Sequence, residues 1–375
     1  MRCRGGVLFS TACLVRLAQG AVLGCDSPFL LRLASWAPCE LRPPLGRIGN
    51  CSDAKLLTCV CSAACAAKLP ANSPCNPLPL CVRGGKDLIS VTLRKKSRWA
   101  ECAELVKLWI QHGRSSGPSG EPSGGAPPDV FLDIGANIGA CSLEMLQRTD
   151  ASVLAVEPSP SNLFYLTSSL QLAARAQPSL AHRVTVLPFA LSNHSGREAI
   201  THSAVNLGDA RIGAYATAGT TVPSFEGRGN IPGVSHDHPL FHAPVTPSLG
   251  IDVTPLDVAL DGAIGLGLHG RRSGRPRVRL MKLDAQGHEC HVLRGMRRLL
   301  QQGLVQLVKT EVSSRLLEAQ GCSETELLAL LRASWRTVHV EDARENCRGG
   351  CHRQRLATSK RQYEVQAWNP KTRTS

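Results

Sequence analysis

A chain of 375 residues with 43 lysines and arginines against 29 acids is long enough for one sizeable α/β domain plus an appendage, since domains cluster around roughly 100 to 200 residues. The formal charge of +14 favours anionic partners on electrostatic grounds, but arginine is spread along the whole chain and aromatic content is low. No Lys/Arg patch interleaved with stacking aromatics stands out, which argues against a single-stranded nucleic-acid binder.

Residues 1–25 carry Arg2, Arg4 and Arg16 and no acid, and "VLFSTACLV" is a nine-residue apolar stretch followed by small residues. This pattern resembles a signal peptide or an organellar transit peptide. It is too short and interrupted for a membrane span, so no transmembrane span is expected. The sequons Asn50-Cys51-Ser52 and Asn193-His194-Ser195 fit the secretory route. The secretory lumen or secretion is therefore the expected location, with an organelle as the alternative.

Residues 26–85 form a cysteine-rich segment; ten of the 16 cysteines lie in the first 81 residues. Its apolar periodicity is weak, so disulfides in an oxidising compartment are the expected fastening. A zinc knot and unstructured low complexity are the alternatives, and the lack of Cys-x-x-Cys pairs disfavours zinc. Residues 86–113 lead into the main domain. "LISVTL" (88–93) reads as a short strand, and "SRWAECAELVKLWIQHG" as an amphipathic helix with Cys102, Leu105, Val106, Trp109 and Ile110 on one face and Gly113 as its stop. "RSSGPSGEPSGGAPP" (114–128) reads as a flexible linker.

From Asp129 to about residue 370 the texture changes to a single α/β domain. Apolar runs at "VFLDI", "SVLAVE", "VTVLPFAL", "VRLMKLD" and "LVQLVKTEV" alternate with helical patterns, the signature of a parallel sheet covered on both faces. Helices are expected at "SPSNLFYLTSSLQLAARA", at "HECHVLRGMRRLLQQG" ending at Gly303, and at "SETELLALLRA" behind a capping box of Ser323 and Glu326. "WRTVHVED" and "QYEVQAW" have no helix between them and read as an antiparallel pair. Residues 202–250 are a long Gly/Pro/His-rich insertion, and 344–362 a basic loop with Cys347 and Cys351.

The turn after "VFLDI" offers glycines and a helix start to a ligand. Gly135 and Gly139 are spaced G-x-x-x-G, unlike the G-x-G-x-x-G of dinucleotide binders, which disfavours a nicotinamide oxidoreductase. Asp133 ends the strand, where a carboxylate suits a cationic group. Glu157 ends the second strand about twenty residues on, where an acid can accept both hydroxyls of a ribose. A nucleoside with a positively charged amino-acid tail fits both, and S-adenosylmethionine is such a molecule.

"VFLDIGANIGACSL", "VLAVEPSPSNLFYL", "PFALSNHSG", "VTPLDVAL" and "LMKLDAQGHECHVLRGM" together resemble the FkbM-type methyltransferases, a class I family dependent on S-adenosylmethionine, over roughly residues 129 to 368. The resemblance implies a Rossmann-like α/β fold: a seven-stranded, mostly parallel sheet with helices on both faces and an antiparallel last strand pair. It also implies methyl transfer, mostly to hydroxyls of sugars or natural products. Carried over residue by residue, Asp133, Gly135, Asn137 and Gly139, with Ala136 between them, match the cofactor loop. Glu157 matches the ribose acid, and Ala190 and Leu191 fall where the third strand passes the adenine. In the fourth-strand motif "KLDAQGHE", Gln286 stands where relatives commonly have Glu. Asp284, Glu289 and Glu311 are the candidate catalytic acids.

His288 and His291 read as rim or surface residues. His236, Asp237, His238 and His242 have a spacing that could hold a divalent cation, but an exposed loop is the commoner outcome, and no metal is assigned. The D/N/S-P-P-aromatic motif of amino-methylating nucleic-acid enzymes is missing at "LDAQGH". Pro38-Cys39 and Pro74-Cys75 lie upstream of the glycine loop, the wrong side for a cytosine-carbon methyltransferase. The expected activity is O-methylation of a hydroxyl on a glycan or small metabolite. The alternatives are a non-catalytic binding protein that keeps the fold, motivated by Gln286, and a methyltransferase acting on protein or nucleic acid.

Overall fold

A computed structural model describes residues 31–32, 78, 80–83, 87–96, 98–112, 129–202, 210–213, 249–261, 277–341 and 362–369. The leader at 1–25, most of the cysteine-rich segment, the 114–128 linker, the histidines of the insertion and the 344–361 loop lie outside the described residues. In chain order the elements are β1 (Leu31–Arg32), α1 (Leu88–Lys96), α2 (Ala100–Gln111), β2 (Val130–Ile134), α3 (Ala140–Arg148), β3 (Ser152–Val156), α4 (Pro160–Ala176), β4 (Val184–Leu187), β5 (Ala190–Leu191) and β6 (Gly196–His202). There follow β7 (Ala210–Ile212), β8 (Leu249–Thr254), α5 (Leu256–Asp261), β9 (Val278–Leu283), α6 (Glu289–Gly295), α7 (Arg297–Gln301), β10 (Leu307–Ser313), α8 (Ser314–Ala319), α9 (Glu324–Ser334), β11 (Thr337–Glu341) and β12 (Gln362–Trp368).

The uninterrupted apolar runs become strands buried on both faces. They order as β4-β3-β2-β9-β10-β12-β11, with the two-residue β1 added antiparallel at the β4 edge. Strands β4, β3, β2, β9 and β10 are parallel, β12 runs antiparallel to β10, and β11 pairs antiparallel with β12. Apart from β1, this is the expected seven-stranded sheet with its antiparallel finish. Alternation divides the core: Phe131 and Leu280 face α2, α3 and α4, while Leu132 and Met281 face α6 to α9. Chain order reverses between β2 and β9, so the crevice at the carboxyl ends of these strands is where open α/β sheets bind ligands.

The third apolar run does not stay in this sheet. Pro188 has no N–H to give a ladder, and after it Ala190–Leu191 pairs with β8 in a second sheet, ordered β5-β8-β6-β7. Part of the insertion is thus built: β7 and the start of β8 belong to it.

One strand expectation and two helix expectations need correction. Residues 88–93 are helical, because the Asp87 carboxylate accepts from the Ser90 amide at 2.9 Å and caps the first turn, outweighing the β-branched side chains that read as a strand. "HECHVLRGMRRLLQQ" breaks into α6 and α7 at Met296. Gly295 presses so close to β5 that a Cβ would lie 1.9 Å from the Ser192 carbonyl oxygen. The capping box of α9 is half formed: Ser323 Oγ accepts from Glu326 N at 3.1 Å, but the Glu326 carboxylate turns to Arg294 instead.

Helix α2 is held over the sheet on several counts. Trp109 is 2 % exposed, and the Arg279 guanidinium lies over its ring at 4.4 Å. A disulfide joins Cys102 of α2 to Cys141 of α3, and a second joins Cys290 of α6 to Cys322 before α9. Cys81 is disulfide-bonded too.

Candidate active site

A cavity of about 610 Å³ opens at the carboxyl ends of β2, β3, β9 and β10. Its first wall is the turn between β2 and α3. Gly135, Asn137 and Gly139 all have positive φ, at 75°, 55° and 90°, the left-handed region that glycine and asparagine tolerate best. A Cβ at Gly135 would lie 2.0 Å from the Asp284 carbonyl oxygen, and one at Gly139 2.5 Å from Leu166. Glycine is required at both places. The amides of Gly135 and Ala136 bond to Val156 O, and that of Asn137 to Glu157 Oε2 at 2.8 Å. This turn therefore offers shape rather than a nest of amides for phosphate.

Two buried carboxylates face the cavity beside that turn. Asp133, 0 % exposed, accepts from Ser142 Oγ through Oδ2 at 2.6 Å. Its Oδ1 has no hydrogen bond, only the Lys282 ammonium at 3.8 Å. Burial pushes the Asp133 carboxyl up, against Lys282 and Ser142 pulling it down. Glu157 accepts through Oε1 from Ser159 N at 2.8 Å and Asn162 Nδ2 at 3.1 Å. Its Oε2 takes only Asn137 N and keeps an accepting lone pair. Burial raises this carboxyl as well.

The far end is a two-tier charge layer on the sheet face under α2. Asp133, Lys282 and Lys309 are neighbours across β2, β9 and β10. One pleat further along stand Asp284 and the Glu311–Glu364 pair. Lys282 is central: its Nζ donates to Gly135 O at 3.0 Å and Asp284 Oδ2 at 3.2 Å. Burial lowers the Lys282 ammonium, but Asp284, Glu101 and Asp133 outweigh it and leave the group above the ordinary lysine value. Lys309 donates to Glu104 at 3.0 Å and Glu364 at 2.6 Å. Trp99 and Glu101, at the head of α2, close this end.

The sequence profile of the Methyltransferase FkbM domain matches residues 133–336. The chain belongs to the FkbM methyltransferase family. It is similar to an FkbM methyltransferase structure from Methylobacillus flagellatus KT at 18% identity and a TM-score of 0.31, covering 57% of this chain and 40% of that one. A precorrin-6y C5,15-methyltransferase from Geobacter metallireducens GS-15 is similar at 12% identity and a TM-score of 0.31, over 72% of this chain and 88% of that one. A human methyltransferase 10 domain containing protein is similar at 9% and 0.30, over 75% and 83%. The chain thus spans less than half the length of the first of these. No curated protein sequence matches it.

Asp133, Gly135, Ala136, Asn137, Glu157, Ala190 and Leu191 all line the one cavity, together with Asp284, Gln286 and Glu311. Gly139 stands behind it as the residue preceding α3. Glu289 turns away from it. Its Oε1 accepts the amides of Ala285 at 2.9 Å and Gly287 at 3.1 Å, so it braces the loop after β9, and burial pushes it up to about 7. His288 is buried rather than at the rim. It contacts Ser192 Oγ at 3.1 Å and stacks on His291 at 4.4 Å, and burial, then His291, pushes it down to about 4. Lys282, Lys309, Trp99 and Glu101 went unread in the sequence. The available signal was a lysine within each of two strands buried along most of their length.

Proposed function

We propose that the protein is an S-adenosylmethionine-dependent O-methyltransferase acting on a hydroxyl of a glycan or small metabolite. The observation that carries this reading is Asp133 Oδ1, a buried carboxylate oxygen without a hydrogen bond among the described residues, aimed into the cavity that Glu157 also lines. Its ion-pair partner, Lys282 Nζ, stands at 3.8 Å, beyond hydrogen-bond distance, so the atom still lacks a hydrogen-bond donor. The residues fit the cofactor: Asp133 would hold its ammonium and the open lone pair of Glu157 its ribose. Gly135 lets the turn lie against the Asp284 backbone, and Ala190 and Leu191 would give an apolar wall for the base. When bound, the cofactor supplies an electrophilic methyl carbon on a sulfonium.

Asp284 lies beside the turn, its Oδ1 accepting from Gln286 Nε2 at 2.8 Å and its Oδ2 from Lys282. Each oxygen keeps one lone pair for an acceptor hydroxyl. Asp284 would receive the proton of the acceptor hydroxyl, and the bound cofactor would supply the methyl group. A hydroxyl needs modest base assistance against so good a leaving group, and alignment would contribute the larger part. Gln286 therefore works as a donor to Asp284. The disulfides support an oxidising compartment such as the secretory lumen.

Isothermal titration with S-adenosylmethionine tests the reading. Saturable binding lost in Glu157→Ala is expected; no binding, or binding undiminished in that variant, removes it. Methyl transfer from labelled cofactor onto a mixed glycan extract, abolished by Asp284→Ala, separates an enzyme from a binding protein of the same fold.

A further inference from the structure

The acceptor end of the cavity opens between the end of α1 and the carboxyl ends of β9 and β10. Lys96, Arg98 and Trp99 line this mouth, and they come from the basic stretch "RKKSRW" at 94 to 99. Lys96 and Arg98 are exposed; among the described residues neither forms a hydrogen bond or a close ion pair, and Arg98 lies near enough to Glu144 to pull its carboxyl down. A helix end favours cations through its dipole, which accounts for Lys95 and Lys96. It does not account for Arg98, which lies beyond α1 in the turn to α2.

The carboxylates at the same end are engaged. Glu364 takes Lys309 at 2.6 Å, Asp284 takes Lys282 at 3.2 Å and Gln286 at 2.8 Å, and Glu101 accepts from the Trp99 indole at 3.2 Å. Glu311 has a partner too. Lys282 and Lys309 are held by these acids inside the cleft, and Lys96 and Arg98 are exposed cations at its edge. Trp99, half-buried against the core, lines the cavity next to them.

We propose that the acceptor is an anionic saccharide, whose phosphate, sulfate or carboxylate is held by Lys96 and Arg98 while its hydroxyl reaches Asp284. The inference rests on the methyltransferase reading and narrows its substrate. With one aromatic at the mouth, a single-stranded nucleic acid would lack the successive stacking platforms it needs. Because both cations are solvated, they govern acceptor affinity in a salt-dependent way and leave cofactor binding alone.

The test uses the full chain saturated with S-adenosylhomocysteine, whose own titration comes first; failure there removes the methyltransferase reading, not only this one. Glucose, glucuronate, glucose 6-sulfate and glucose 6-phosphate are then titrated at low and high salt, alongside a short oligoadenylate RNA. At least one sugar anion is expected to bind about fivefold or more tighter than glucose. Salt should narrow the gap as the Debye length falls from about 10 Å to 3 Å, and the Lys96→Ala/Arg98→Ala variant should close it with S-adenosylhomocysteine affinity unchanged. The anion that gains most names the group. Equal binding of glucose, a preference that survives the double variant, absence of saturable binding by any sugar anion, or capture of the RNA instead would each overturn the proposal.

Discussion

Lys282 shows how much of the site depends on a single buried charge. Its ammonium, 5 % exposed, stands between Asp133, Asp284 and the Gly135 carbonyl. Replacing it with the near-isosteric methionine leaves two carboxylates facing each other in a buried cleft. Breaking a buried pair in this way costs about 3–5 kcal/mol, so Lys282→Met is expected to lower the urea midpoint by that equivalent. Adding Asp284→Asn should restore part of it, which a double-mutant cycle reads directly; additive effects would show that the two are not coupled. Glu289 gives a pH signature. Its folded-state value of about 7 lies above the ordinary carboxyl range near 4.3, so the native state binds the proton more tightly than the unfolded chain. Its contribution is full below about pH 4 and is lost as pH rises through about 7. Glu289→Gln keeps an oxygen for the Ala285 and Gly287 amides and cannot ionise. The variant should gain about 2–4 kcal/mol relative to the parent between pH 4 and 8, measured as the difference of two stability–pH curves; parallel curves would refute it. Asp133, Gly135, Gly139 and Glu157 were legible in the sequence because each is placed by its own strand end and turn. Lys282, Lys309 and Glu101 were not, because their meeting depends on strand register and on a helix lying across the sheet.

At the scale of elements, the same distinction separates what could be read from what could not. The sheet's strands and the long helix behind Ser159 and Pro160 follow from local signals: apolar runs, a cap and a proline at the first turn. Helix α1 misled because Ile89, Val91 and Thr92 carry strand propensity, while the deciding Asp87 cap is one side chain. The second sheet was hidden because its strands are short and one is the tail of a run that Pro188 cuts. Neither disulfide within the domain could be paired from spacing, since the partners come from separate helices. The Cys102–Cys141 bond fastens the cavity's α2 wall to the helix that opens at Gly139, closing a separation of 39 residues. A loop of that size is worth about 2–4 kcal/mol. Cys102→Ser is therefore expected to lower stability by that amount in urea unfolding, and in reductant the parent and the variant should share one midpoint. A parent insensitive to reductant, with the variant equally stable, would show that the bond does not form.

Across the whole molecule, the family match begins at residue 133, but the folded unit begins earlier. Leu80, Leu93, Leu105 and Trp109 share one core cluster with Phe131, Leu280 and Leu307 of the sheet, and Lys309 is paired to Glu104 of α2. A fully buried large apolar side chain is worth about 1.5–3 kcal/mol, and these four come from segments that a truncation to residues 129–375 removes. Their combined loss, with an apolar sheet face bared and Lys309 deprived of one partner, reaches the roughly 5–15 kcal/mol by which whole domains are stable. The truncated chain should therefore lack a cooperative thermal transition and a near-ultraviolet dichroism signal and should elute as aggregate, whereas the full chain melts cooperatively. A truncated chain that melts cooperatively and binds S-adenosylmethionine as the full chain does would mean that the wall formed by α1 and α2 serves acceptor recognition alone and carries none of the fold.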